Sequence, residues 1–142
     1  MTGTLAILLL VTGLSQAYDW DYCKGTGTPN YWININPKNG GVQNKPTTFV
    51  KSGYNTFVFT GKTERALDLG GVTVQIYKGD TLITVASYTE FYTIFYSAKE
   101  DFKYVAGVVF PNYLPFDLYR FEVKLVDADS KYMECYSTTA YM

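Results

Sequence analysis

The chain contains no histidine. Its absence removes the commonest general base and the commonest metal ligand. The two cysteines, Cys23 and Cys135, are 112 positions apart, so they form no Cys-x-x-Cys redox pair and cannot by themselves assemble a structural zinc site. Charge of one sign is also scarce. Twelve Lys and Arg are set against 13 Asp and Glu, and no run of like charge exceeds a pair such as Glu100-Asp101. A nucleic-acid surface needs many phosphate-neutralising cations on one face, so nucleic acid is excluded as a partner. Steering toward a strongly acidic membrane lacks support for the same reason.

Catalytic patterns are missing too. No serine sits in a nucleophile elbow or has a histidine to activate it. Asp127 and Asp129 begin like a calcium loop, but the Gly and the later Glu of that motif are absent, so a hairpin turn is expected there. Glu90, Glu100 and Asp101 offer carboxylates of the glycosidase type, yet nothing marks a cleft around them. The expectation is a protein that is not an enzyme and needs no cofactor or metal. No Asn-x-Ser/Thr sequon occurs, so N-glycosylation is not expected.

What is present is apolar and aromatic. Hydrophobic residues make up 47% of the 142 and aromatic ones 18%, including 14 Tyr and 9 Phe. That is enough to fill one core, and aromatic residues suit a pleated, half-buried surface. Leu5 to Leu14 is an apolar run too short to cross a bilayer, which takes roughly 20 residues. It is followed by Ser15-Gln16-Ala17, a small-x-small pattern suited to signal peptidase. Residues 1–17 are therefore expected to be a signal peptide and 18–142 a single mature domain. In an exported protein the simplest arrangement of Cys23 and Cys135 is one disulfide, the other being two buried thiols.

Turn signals recur at short intervals, at 25–30, 37–41, 51–53, Gly70-Gly71, 78–80, 111–115 and 127–130. Between them lie short runs of period two, the pattern of a sandwich or barrel. Strands are expected at 19–23, 31–36, 55–63, 72–77, 81–88, 119–125 and 131–141. Tyr31, Ile33 and Ile35 share a face, as do Phe57 and Phe59, then Val72, Val74 and Ile76, then Tyr119, Phe121, Val123 and Leu125. A short helix is expected around Leu67. From Phe91 to Phe110 the aromatic residues fit neither period, and strand pieces around a loop near 98–101 are expected.

The order of motifs resembles the ML lipid-recognition domain family. Pro111-Asn112-Tyr113-Leu114-Pro115 precedes the Tyr119 strand, an acidic hairpin at 127–131, and a last strand bearing Cys135. Earlier, Ile33-Asn34-Ile35-Asn36-Pro37 and Phe57 to Gly61 fit the same pattern. The subgroup resembled contains the phosphatidylglycerol/phosphatidylinositol transfer proteins and the Niemann-Pick type C sterol carriers. The chain departs from it by lacking mid-chain cysteines, by carrying Phe116-Asp117-Leu118 where many members have Pro-Gly, and over 82–102.

The resemblance implies an all-β, immunoglobulin-like sandwich of two antiparallel sheets with an apolar cavity between them. It also implies a Cys23–Cys135 disulfide clasping the layers, and one sterol or phospholipid held inside. Burying some 300–400 Å² of apolar ligand is worth about 8–10 kcal/mol before association costs. The expected cavity wall is Ile33, Ile35, Phe57, Phe59, Val72, Val74, Ile76, Tyr119, Phe121, Val123 and Leu125, with Tyr113 and Leu114 as the entry rim. Transient membrane contact, a monomer, and a secreted or endolysosomal location complete the expectation. The alternative is an extracellular sandwich module for recognition or adhesion, binding protein or carbohydrate through a patch of Trp20, Trp32 and Tyr77.

Overall fold

The computed structural model describes residues 18–25, 31–45 and 48–142, so the expected signal peptide lies outside the described residues. The strands are β1 (Asp21–Tyr22), β2 (Ile33–Asn34), β3 (Val42–Lys45), β4 (Tyr54–Thr63), β5 (Leu67–Lys78), β6 (Thr81–Tyr96), β7 (Asp101–Val109), β8 (Leu118–Asp127) and β9 (Tyr132–Tyr141). A 3-10 turn, Pro37–Asn39, follows β2. One sheet has the order β1-β9-β8-β5-β6, and in the other β4 pairs with β7 on one edge and with β2 and β3 on the other. Every pairing is antiparallel. The molecule is an all-β sandwich.

The expected helix at Leu67 is instead the start of β5. Leu67 and Leu69 are buried and Asp68 is exposed, which is a period of two. Paired glycines then suit a kinked strand and not a helix. A Cβ on Gly70 would lie 2.3 Å from the Asp127 carbonyl oxygen, and one on Gly71, at φ +151°, would lie 2.1 Å from that of Tyr88. Both flanking strands therefore close in on bare backbone here. β6 answers with a bulge: Gly71 pairs with Thr89 and Leu69 with Ile94, so residues 90–93 stand against Gly70 alone. That bulge explains why 91–96 showed no clean period, and why β6 runs on past the expected end at Tyr88. It also throws Phe91 and Tyr92 outward, 88% and 80% exposed.

The disulfide forms, with Cα atoms 5.4 Å apart. It does not clasp the two layers. Cys135 pairs with Lys124 on the outer face of the first sheet, and the Cys23 N–H donates to the Cys135 carbonyl at 3.2 Å. The bridge thus staples edge strand β1 to its neighbour β9.

Polar contacts between the layers come from elsewhere. Glu134, opposite Leu125 on the inner face of β9, is buried, and its Oε1 accepts the Trp32 and Ile33 backbone N–H groups at 2.8 and 3.0 Å. Tyr22 adds a hydroxyl hydrogen bond to the Ile35 carbonyl at 2.9 Å. Removing the Glu134 acceptor strands two donors, each worth about 1–3 kcal/mol when left unmade. Glu134→Leu is expected to lower unfolding free energy by about 2–4 kcal/mol in urea titration. Glu134→Gln keeps an acceptor oxygen and should cost less than half as much.

Candidate functional site: the compartment between the sheets and its β6–β7 edge

The inner faces gather most of the sequence-predicted wall. Ile33, Ile35, Phe57, Phe59, Val74, Ile76, Phe121, Val123 and Leu125 are fully enclosed, and Val72 and Tyr119 nearly so. The two rim residues part company. Leu114 turns inward and is buried, while Tyr113 stays 68% exposed and donates its hydroxyl to Thr84 Oγ1 at 2.9 Å.

Several interior side chains escaped the sequence reading. Phe49 leaves a loop and inserts between the sheets, with ring centroids 4.4 Å from Phe121, 5.6 Å from Phe110 and 5.8 Å from Phe57. Phe110 stacks on Phe121 at 5.7 Å, and Phe59 meets Tyr136 at 6.1 Å. Along these rings the two layers touch, so the hollow expected there is occupied by side chains. A lipid would have to displace them. Phe49 is the ring whose movement disturbs no strand. No pattern marks a lone loop Phe as interior, whereas Trp20 and Tyr136 could have been found from alternation, since Trp20 falls between exposed Asp19 and Asp21.

Trp20 is only 2% exposed and packs against Phe57 at 6.1 Å. This corrects the expected surface patch of Trp20, Trp32 and Tyr77. Trp32 is half-buried, and the Arg65 guanidinium lies 4.5 Å from its ring and equally close to that of Tyr31. Tyr77 lies on another face beneath Arg120, at 4.4 Å. Cation–π pairing accounts for both half-buried rings.

The edge between β6 and β7 is different. The two strands follow one another around a turn at 97–100 but belong to different sheets. Two tyrosine hydroxyls span them: Tyr104 donates to Glu90 Oε1 at 2.9 Å, and Tyr96 to the Lys103 carbonyl at 3.1 Å. Within β6, Tyr88 donates to the other Glu90 oxygen at 3.5 Å. Burial, then the Glu90 hydrogen bond, raises the Tyr104 pKa far above the ordinary tyrosine value, so the hydroxyl stays a donor beyond the usual tyrosine range. Exposed apolar side chains flank this edge on both outer faces: Val85, Phe91, Tyr92 and Phe95 on β6, and Val105 on β7, with Tyr113 on the loop beyond. Exposed apolar groups in such number suit a contact surface.

Two of the carboxylates considered for catalysis, Glu100 and Glu90, make local hydrogen bonds. Glu100 Oε2 accepts the Ser97 N–H at 2.6 Å, and Glu90 holds the tyrosines. Asp127 Oδ1 accepts from the Asp129 and Lys131 N–H groups, each at 2.9 Å, as the expected hairpin turn requires.

Fold and site together define a disulfide-stapled antiparallel sandwich with an aromatic interior and a β6–β7 edge bridged by side chains. No protein-family model matches the chain, and no curated protein matches it.

Proposed function

We propose that this protein binds a single lipid between its two sheets and transfers it through the β6–β7 edge. The observation that carries the reading is that edge. The apolar compartment is shut there by tyrosine hydroxyls and not by a main-chain ladder. The exposed aromatics around it suit brief contact with a membrane interface. The resemblance to the ML lipid-recognition family supports the same reading, with a sterol or phospholipid as ligand and no catalytic step. The disulfide is compatible with an oxidising space, secreted or endolysosomal.

The test is direct. Delipidated protein is titrated with a fluorescent sterol and with labelled phosphatidylglycerol, and native mass spectrometry counts the ligand. Saturable one-to-one binding, micromolar or tighter, is expected. Folded protein that takes up neither would end the proposal. Opening the edge should also be a rate effect. Tyr104→Phe with Glu90→Gln removes the hydrogen bond, worth about 1 kcal/mol, and should speed uptake about fivefold in stopped-flow mixing.

A second reading has its own observation. The contact of Phe49 with Phe121 is that of a solid core, which suits a module recognising protein or carbohydrate at its surface. That reading requires the titration to fail and glycan or protein binding to survive Phe49→Ala.

A further inference from the structure

Among the described residues, the Trp20 Nε1–H and the Tyr136 hydroxyl are both buried and make no hydrogen bond. Buried polar groups are nearly always satisfied, because an orphan loses its water and gains nothing. The two residues belong to neighbouring segments of one sheet. Tyr22 pairs with Tyr136 and Asp21 with Ser137, which sets Trp20 diagonally across from Tyr136 on the same inner face. Trp20 packs on Phe57, and Tyr136 on Phe59, whose rings are neighbours 6.5 Å apart.

We propose that Trp20 and Tyr136 form a polar anchor for the one neutral oxygen of an otherwise hydrocarbon lipid. Indole N–H is a donor only, and a phenol both donates and accepts, so together they fit a hydroxyl or a carbonyl. The surroundings exclude a charged head group. Among the described residues the buried polar and charged ones are Asn44, Asn55, Thr63, Glu134 and Thr138, with no cation among them. Glu134 is two residues from Tyr136 on the same face, and its negative charge opposes an anion there. An uncompensated buried phosphate or carboxylate is far more costly than a neutral oxygen. The ligand class is therefore a sterol or a long-chain alcohol. A phospholipid would have to leave its phosphate outside.

This inference rests on the lipid-binding reading, and the experiment separates the two. A sterol, its deoxygenated hydrocarbon, a long-chain alcohol and the matching alkane are titrated against the wild type, Tyr136→Phe and Trp20→Phe. The wild type should prefer each oxygenated ligand about five- to tenfold over its hydrocarbon, as one or two neutral hydrogen bonds allow. Tyr136→Phe should reduce that preference while leaving hydrocarbon affinity unchanged. Which pair shows the larger preference tells a sterol site from an alcohol site. Equal binding of both members of each pair, or a preference untouched by Tyr136→Phe, overturns the anchor and leaves lipid binding intact. Failure of every ligand overturns lipid binding itself. Without ligand, Tyr136→Phe should be as stable as the wild type or melt a few degrees higher, because it removes an orphan. A lower Tm would show that the hydroxyl is already satisfied, and would overturn the proposal.

Discussion

Replacing Cys23 and Cys135 together with alanine is expected to lower the unfolding free energy by roughly 3–5 kcal/mol, the largest loss from any change outside the core. The bridge joins residues 112 positions apart, so its loss restores nearly the whole unfolded-chain entropy of the domain. The local geometry adds to this. β1 has two residues and pairs with β9 at only Asp21–Ser137 and Tyr22–Tyr136. Without the staple that edge frays, and Trp20 leaves Phe49 and Phe57 with it. Urea unfolding of the oxidised protein against the double variant measures the loss, and Tm should fall by roughly 10–20 °C. A loss under about 1 kcal/mol would mean that β1 docks without the bridge.

Phe121→Ala is expected to cost about 3–5 kcal/mol, as for other fully enclosed aromatic rings. Phe121 sits where the layers meet, with Phe110 stacked on it and Phe49 tilted against it. Truncation removes the ring that holds them apart and leaves an apolar void, which stays dry and accepts hydrocarbon. Chemical denaturation gives the stability. Titration with the fluorescent sterol gives the second measure: the variant should bind lipid faster and at least as tightly, because the closing ring has gone. A variant that loses stability and lipid binding together would make Phe121 a wall that ligand needs. That result would contradict a core that opens.

The two effects differ in how legible they were. Phe121 stands in Tyr119–Leu125, where apolar and charged residues alternate without a break, so its inward aim follows from period two alone. The same holds for Val72, Val74 and Ile76. The disulfide partners followed from there being only two cysteines in a chain that reads as exported. Its placement within one sheet did not follow, because strand register is a property of pairs. Cys135 faces outward only because β9 aligns Cys135 with Lys124. The helix expected at Leu67 failed for a related reason. Three residues of apolar alternation before Gly70-Gly71 carry too little signal to set a period. The backbones of Asp127 and Tyr88 then demanded the bare glycines.

The candidate site was half visible. Its walls were readable as stripes of apolar residues. Phe49 was not, since a loop residue has no periodicity to betray which way it points. Nor were the tyrosine bridges from Tyr104 to Glu90 and from Tyr113 to Thr84, which join positions 14 and 29 residues apart.

The sequence by itself determined the class: an all-β chain with two opposed apolar faces, no histidine chemistry, and cysteines near the two ends of the expected mature domain. Those are matters of composition and of side-chain alternation along single strands. Only the tertiary structure decided which side chains bridge the layers, which loop ring fills the interior, and which buried donors go unpaired. Each of those depends on how separate strands meet, and no single stretch of sequence encodes that.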